Sequence, residues 1–197
     1  RGLGDVYKRQ GKNNYKNRVK QNFTTTAPNQ VWVGDVTCFR FSGTNYYICA
    51  IIDLYARFVV GHKISRNCST QLTKSTFKNA FEKRGKPTDL VFHSDRGGNY
   101  ISYTYREYLE SLKVEQSFSR TGIPFDNAVI ESFFSNMKRE ELYRTKYRSE
   151  REFRAAVDSY IIFYNEQRPH AKIKYKTPAA KESEYCNNHT GCEQGIT

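Results

Sequence analysis

Hydrophobic and polar positions alternate from Val31 to Phe41, the period of a half-buried strand. Val31, Val33, Asp35, Thr37 and Phe39 share one of its faces. Ser42-Gly43-Thr44-Asn45 reads as a turn. Residues 46–54 are nearly all apolar, which predicts a central, buried second strand. Residues 57–64 predict a third. The connections are short, so the three form an antiparallel meander. Residues 70–84 then switch to the helical period, with Leu72, Thr76, Phe77, Ala80 and Phe81 on one side and Gly85 and Pro87 as the stop. A fourth strand is expected over residues 90–93, ending at Ser94-Asp95 and followed by a Gly-rich turn, Arg96-Gly97-Gly98-Asn99. Tyr105, Tyr108, Leu109 and Leu112 mark a second helix, and residues 114–118 a fifth strand.

Residues 126–138 return to the helical period. At about 100° per residue, with Glu131 at 0°, Asn127, Ser135 and Lys138 fall within roughly 40°. Val129, Ile130, Phe133 and Met137 fall at roughly 160–260°, which gives an apolar back. Asp126 or Asn127 can cap this helix. Ser149 and Glu152 match a capping box. Phe153, Val157, Tyr160, Ile161 and Tyr164 mark the next helical face, which Arg168-Pro169 ends. A basic loop, residues 172–176, and a last short helical turn from Thr177-Pro178 complete the pattern. There is no internal repeat and no second core. The expected organisation is a basic, disordered segment over 1–26, one core over 27–182, and a disordered tail over 183–197. Arg1 to Gln10 resembles translated adapter sequence and is set aside.

Right-handed crossovers would place the fourth strand beside the first and parallel to it. Asp35 then sits mid-strand, and Asp95 at a strand end, where ligand sites of open α/β sheets cluster. A carboxylate among Val33, Thr37 and Phe39 is costly unless paired or bound to metal.

Composition narrows the class. A chain of 197 residues that is 38% apolar and 15% aromatic can fold as one ordinary domain. No apolar run approaches the roughly 18 residues of a membrane helix, and the start has no signal-peptide pattern, so a cytoplasmic setting is the default expectation. The net charge is +12, and it is unevenly spread. Residues 1–30 carry 7 basic and 1 acidic side chain, 31–136 carry 13 and 10, 137–181 carry 12 and 6, and 182–197 carry 0 and 3. Basic flanks around a balanced middle suit a polyanionic partner. The five cysteines include no Cys-x-x-Cys pair. Cys186-x-x-His189-x-x-Cys192 offers three ligands for zinc, which is the lesser reading against a solvated tail.

Asp35, Asp95 and Glu131 are separated by 59 and 35 intervening residues. The runs around them are Asn29-Gln30-Val31-Trp32-Val33-Gly34-Asp35-Val36-Thr37, His93-Ser94-Asp95-Arg96-Gly97 and Asp126-Asn127-Ala128-Val129-Ile130-Glu131-Ser132-Phe133-Phe134. With Tyr164-Asn165-Glu166-Gln167-Arg168-Pro169-His170, they resemble the DDE transposase and retroviral-type integrase superfamily, and within it the IS3-type insertion-sequence transposases. The resemblance spans about residues 21–182. It implies an α/β, ribonuclease H-like fold with a five-stranded mixed sheet flanked by helices. It implies Mg²⁺-dependent 3′-end cleavage and strand transfer of DNA, with Mn²⁺ able to substitute. Asp35 would serve two cations, and Asp95 and Glu131 one each, since hard cations prefer carboxylate oxygens. A basic residue at Lys138 would meet DNA near the scissile phosphate. Asn127 would orient Glu131 or cap its helix. Arg120, Arg168, His170, Lys172 and Lys174 are candidate phosphate contacts. His93 is expected to hold the loop at Asp95, and Asp53 to make a structural contact.

The family's usual upstream helix-turn-helix region has no counterpart in residues 1–26, and the His/Cys zinc module of retroviral integrases is missing from the start. The expectation is therefore a catalytic domain or fragment, working as a homo-oligomer on paired DNA ends, with room for a helix-turn-helix partner from an upstream frame. Two other readings stay open: a non-catalytic DNA-binding remnant, and a ribonuclease H-like nuclease, for which no convincing fourth acid is found.

Overall fold

In the computed structural model the described residues are 25–119 and 127–189. The expected segment 1–26 lies almost wholly outside them, as do Arg120, Asp126 and Cys192. Strands β1 (Val31–Phe41), β2 (Thr44–Asp53) and β3 (Val59–Ser65) form the meander, and β4 (Val91–Ser94) and β5 (Glu115–Phe118) extend it. The strand order is β3-β2-β1-β4-β5. β1 runs antiparallel to β2 and parallel to β4, and β4 is parallel to β5, so the sheet is mixed as expected. β3 starts two residues later than the hydrophobic pattern predicts, because Arg57 adopts a left-handed backbone (φ 62°) that no strand tolerates.

Helices cover both faces. On one, α1 (Thr70–Lys83), α2 (Gly98–Ile101) and α3 (Tyr103–Ser111) pack over Trp32, Ile51 and Phe92. On the other, α4 (Ala128–Met137) and α5 (Glu150–Glu166) pack over Val33, Ile48 and Ile52. The Gly-rich stretch after β4 coils into α2 rather than remaining a turn, since burying Tyr100 against Phe92 and Tyr105 requires it. At α5 the Ser149 Oγ accepts the Glu152 N–H at 3.1 Å, as the capping box predicts. The reciprocal Glu152 carboxylate reaches the N–H of Arg148 rather than that of Ser149, at 2.7 Å.

A polar clasp closes the edge where β2 ends. Asp53 is fully buried and accepts hydrogen bonds from Trp32 Nε1 at 3.2 Å and from the N–H groups of Asn29 and Tyr55. Burial pushes its carboxyl up to about 6. Arg84, at the end of α1, lies 4.0 Å from it and forms a bidentate pair with Glu182. That pair corrects the expected tail boundary. Glu182 anchors α6 (Pro178–Asn188), so residues 183–188 are helix and not a disordered tail. Thr177 caps α6 by accepting the Ala180 N–H at 3.1 Å.

Gly34 in β1 faces the ring of Phe92, which a Cβ at this position would strike. Gly34→Ala is expected to cost about 1–3 kcal/mol through overpacking. Chemical denaturation checks this, and an unchanged midpoint would contradict the packing described.

Candidate active site

The β1–β4 ladder pairs Val33 with His93 and Gly34 with Ser94. One step further along both strands stand Asp35 and Asp95. Adjacent strands are about 4.8 Å apart, so the two carboxylates emerge side by side where β4 ends. The loop after Asp95 is tied down locally. The Gly97 N–H donates to Asp95 Oδ1 at 2.9 Å, and a Cβ at Gly97 would crowd that same oxygen. His93 is fully buried, with its ring nitrogens 2.9 Å from Ser117 Oγ and 3.1 Å from Ser119 Oγ. Arg96 Nε donates to the Ser119 carbonyl at 3.0 Å. His93 therefore holds the β4–β5 end in place, as expected of it.

The third acid arrives on α4. Val129, Ile130, Phe133 and Met137 are buried, joined by Phe134, and they seat the helix on the face of β1 that carries Val33. Glu131 is left exposed on the opposite stripe. Of the two cap candidates, Asp126 lies outside the described residues. Asn127 occupies the N-cap position, yet its side chain makes no capping bond. It is buried, and its Oδ1 has no hydrogen-bond partner among the described residues.

Asp35 is strongly perturbed. Burial raises its carboxyl to about 7, and the like charges of Asp95 and Glu131 push the same way. The Val36 N–H, 2.7 Å from Asp35 Oδ1, and the Lys138 ammonium oppose the shift. The three acids and Lys138 thus occupy one electrostatic neighbourhood. Among the described residues, no three of His, Cys, Asp and Glu are drawn together tightly enough to hold a metal ion. The donors nonetheless suit a hard divalent cation: all are carboxylates, and the half-buried one, Asp35, accepts only one described hydrogen bond, from Val36. Asp95 and Glu131 lie on an open face rather than in an enclosed pocket, as a polymer substrate would need.

The other candidates separate into two places. Arg168, just past α5, makes a two-pronged pair with Glu140. His170 stacks edge-on against Tyr164 with ring centroids 4.5 Å apart, and burial lowers its pKa. Lys172 and Lys174 are exposed and line a groove with Arg57, Lys176 and Lys181, at the β2–β3 turn. That turn lies past the N-terminal end of β1, since Asp53 pairs with Trp32. Arg57, Lys176 and Lys181 escaped the sequence reading because only the tertiary fold brings the β2–β3 turn against α6.

A mixed five-stranded sheet with acids at the meeting of β1 and β4 defines an integrase-type α/β core. Integrase core domain models match residues 25–124 and 112–178, and the chain belongs to this family. It is 34% identical over 163 residues to the transposase for insertion sequence element IS904 of Lactococcus lactis, covering 82% of this chain and 64% of that one. It is 35% identical over 157 residues to the transposase InsF for insertion sequence IS3A of Escherichia coli, covering 79% and 54%. The chain spans a little over half to just under two-thirds of the length of these relatives. In structure it is similar to the HTLV-2 integrase catalytic core domain in complex with magnesium, with a TM-score of 0.65 at 19% identity, covering 81% of this chain and 99% of that one. The ribonuclease H-like fold expected from the motifs is therefore the fold observed. No described helix is long and apolar enough to cross a membrane.

The Asp35 shift makes stability pH-dependent. Its folded pKa exceeds the unfolded value of about 4, so its contribution is complete below about pH 4 and is lost as pH rises through 7. Between about pH 5 and pH 8, the metal-free protein should therefore lose more stability than Asp35→Asn does. Denaturation at several pH values measures the difference, and parallel profiles would contradict the assigned environment.

Proposed function

We propose that this chain is the catalytic core of an insertion-sequence transposase, which cleaves DNA at 3′ ends and transfers the freed 3′-OH to a second phosphodiester. The observation that carries the reading is the adjacency of Asp35 and Asp95 on parallel strands, with Glu131 and Lys138 in charge range of Asp35. The names of its transposase relatives support it. Recognition of element ends, assembly as a homo-oligomer on paired ends and a helix-turn-helix partner belong to the same proposal, because the relatives are longer than this chain.

Asp35, Asp95 and Glu131 would hold two Mg²⁺ or Mn²⁺ ions, Asp35 serving both. Bound there, the ions supply positive charge to the entering and leaving oxygens of phosphoryl transfer. The protein's own groups do the placing. The carboxylate of Asp35 would be the form that holds a cation, and its raised pKa means that this form is incompletely populated in the metal-free protein near neutral pH. Lys138 holds a phosphate beside the scissile one, seven residues and about 10 Å along α4 from Glu131. Asn127, buried at the head of α4, orients the helix that carries Glu131. Lys172 and Lys174, with Arg57, grip the flanking backbone by neutralising phosphates, beside Lys176 and Lys181, which pair with Glu184. Arg120 and His170 remain backbone contacts in this reading; His170 acts as a neutral hydrogen-bond donor, since burial disfavours its charge.

Strand transfer of a precleaved duplex into plasmid, with Mg²⁺ or Mn²⁺, tests the proposal. Asp35→Asn, Asp95→Asn and Glu131→Gln should each reduce the rate by about 100-fold or more. Wild-type rates in these variants would refute it. Preferential cleavage of an RNA·DNA hybrid would point to a ribonuclease H-like nuclease instead. Salt-dependent DNA binding without metal-dependent nicking would point to a DNA-binding remnant.

A further inference from the structure

Beyond Met137 the helix carrying Glu131 does not continue as an α-helix. The Tyr143 N–H donates to the Lys138 carbonyl at 2.9 Å, an i→i+5 bond, and Lys138–Leu142 form a π turn. Such turns are rare and gather at functional sites. This one is fastened on two sides. Leu142 is buried in the core that α4 and α5 share. Opposite it, Glu140 is clamped: its Oε1 accepts from Arg168 Nη2 at 2.7 Å, and its Oε2 accepts from Arg168 Nε and Tyr160 Oη, both at 2.9 Å. Arg168 follows α5 in the stretch from Tyr164 to His170, a motif the metal chemistry leaves unused.

We propose that Arg168 is a positioning residue. Its bidentate pair with Glu140 fastens the π turn that Lys138 opens, and so steadies the end of α4 at which Lys138 meets the substrate phosphate. The inference rests on reading Lys138 as a phosphate contact. Four observations support it. The fork of Arg168 faces Glu140, a carboxylate that already balances its charge, so a phosphate would have to displace an internal anion. The pair fixes distance and orientation together, which a lysine at 168 would not do. If the turn relaxed to α geometry, every residue after Lys138 would shift by one ladder position, and Glu140 would leave its register with Arg168. Finally, Lys138 opens the turn, and its charge is felt at Asp35.

The test measures single-turnover strand transfer of a precleaved duplex with Mn²⁺, and the salt dependence of duplex affinity, in Lys138→Gln, Arg168→Gln, Arg168→Lys, Glu140→Gln and the Lys138→Gln/Arg168→Gln double variant. Arg168→Gln and Glu140→Gln should each slow transfer by about 10- to 100-fold, with the salt slope of binding unchanged. Lys138→Gln should lower that slope by about one. Arg168→Gln should add nothing in the Lys138→Gln background, and Arg168→Lys should not restore the rate. If Arg168→Gln does not fold, Arg168→Lys and Glu140→Gln carry the same comparison. The proposal is overturned if Arg168→Gln lowers the salt slope as Lys138→Gln does and Arg168→Lys restores it, which would mark a direct phosphate contact. It is also overturned if the single losses multiply in the double variant, or if Glu140→Gln transfers at the wild-type rate. Wild-type behaviour of Lys138→Gln refutes the phosphate-contact reading itself, and the positioning role with it; a defective Lys138→Gln beside intact Arg168→Gln and Glu140→Gln refutes the positioning role alone.

Discussion

One carboxylate stands where the sheet should be apolar. Asp35 shares its face of β1 with Val31, Val33 and Phe39, which pack beneath α4 and α5. Burial there opposes ionisation, and the charges of Asp95 and Glu131 oppose it further. A fold that only needed stability would place an apolar side chain at this position. Local parts of the structure around Asp35 serve to keep this unfavourable carboxylate in place. The β1–β4 ladder sets Asp95 beside it. His93 fixes the end of β4 through Ser117 and Ser119. The apolar back of α4 presses Glu131 toward the same side.

The costs and the supports lie at different ends of the sheet. At the opposite end of β1, Asp53 is fully buried where Asp35 is half-buried, and its pKa is also raised, but it accepts three described hydrogen bonds and lies near Arg84. Asp53 is thus a carboxylate whose environment satisfies it. Asp35, with one backbone donor, two like-charged neighbours and the Lys138 ammonium, accepts fewer hydrogen bonds. That contrast between two carboxylates on adjacent strands separates one with a structural role from the one that the proposed function assigns to a cation. The π turn after α4 is fastened in a similar way, with Glu140 paired to Arg168 and Leu142 buried in the core.

Much of this was legible in the chain. Period-two alternation fixed β1 to the residue, and the helical period located α1, α4 and α5, because each buries a continuous stripe. Parallel pairing of β1 and β4 followed from crossover handedness, and it made Asp35 and Asp95 neighbours before any coordinates. What escaped has physical causes. The start of β3 depends on a left-handed residue, Arg57, with no side-chain signature. The length of α6 depends on Glu182 meeting Arg84 from 98 residues away. The silent side chain at the N-cap of α4 is a matter of rotamer and burial. Arg168 looked like a phosphate ligand because charge is visible in sequence and its partner Glu140 is not. The basic groove beside α6 assembles from segments more than a hundred residues apart, so only its Lys172 and Lys174 could be singled out.

The central claim is that Asp35 is a half-buried carboxylate with a raised pKa, which the proposed function assigns to a divalent cation. A carbon-13 NMR titration of the aspartate carboxyl groups, with and without Mg²⁺, tests it most directly. One aspartate absent from the Asp35→Asn spectrum should titrate near pH 7 in metal-free protein and move well below that with Mg²⁺. If that resonance titrates in the ordinary carboxylate range, or stays unmoved by Mg²⁺, the account is wrong.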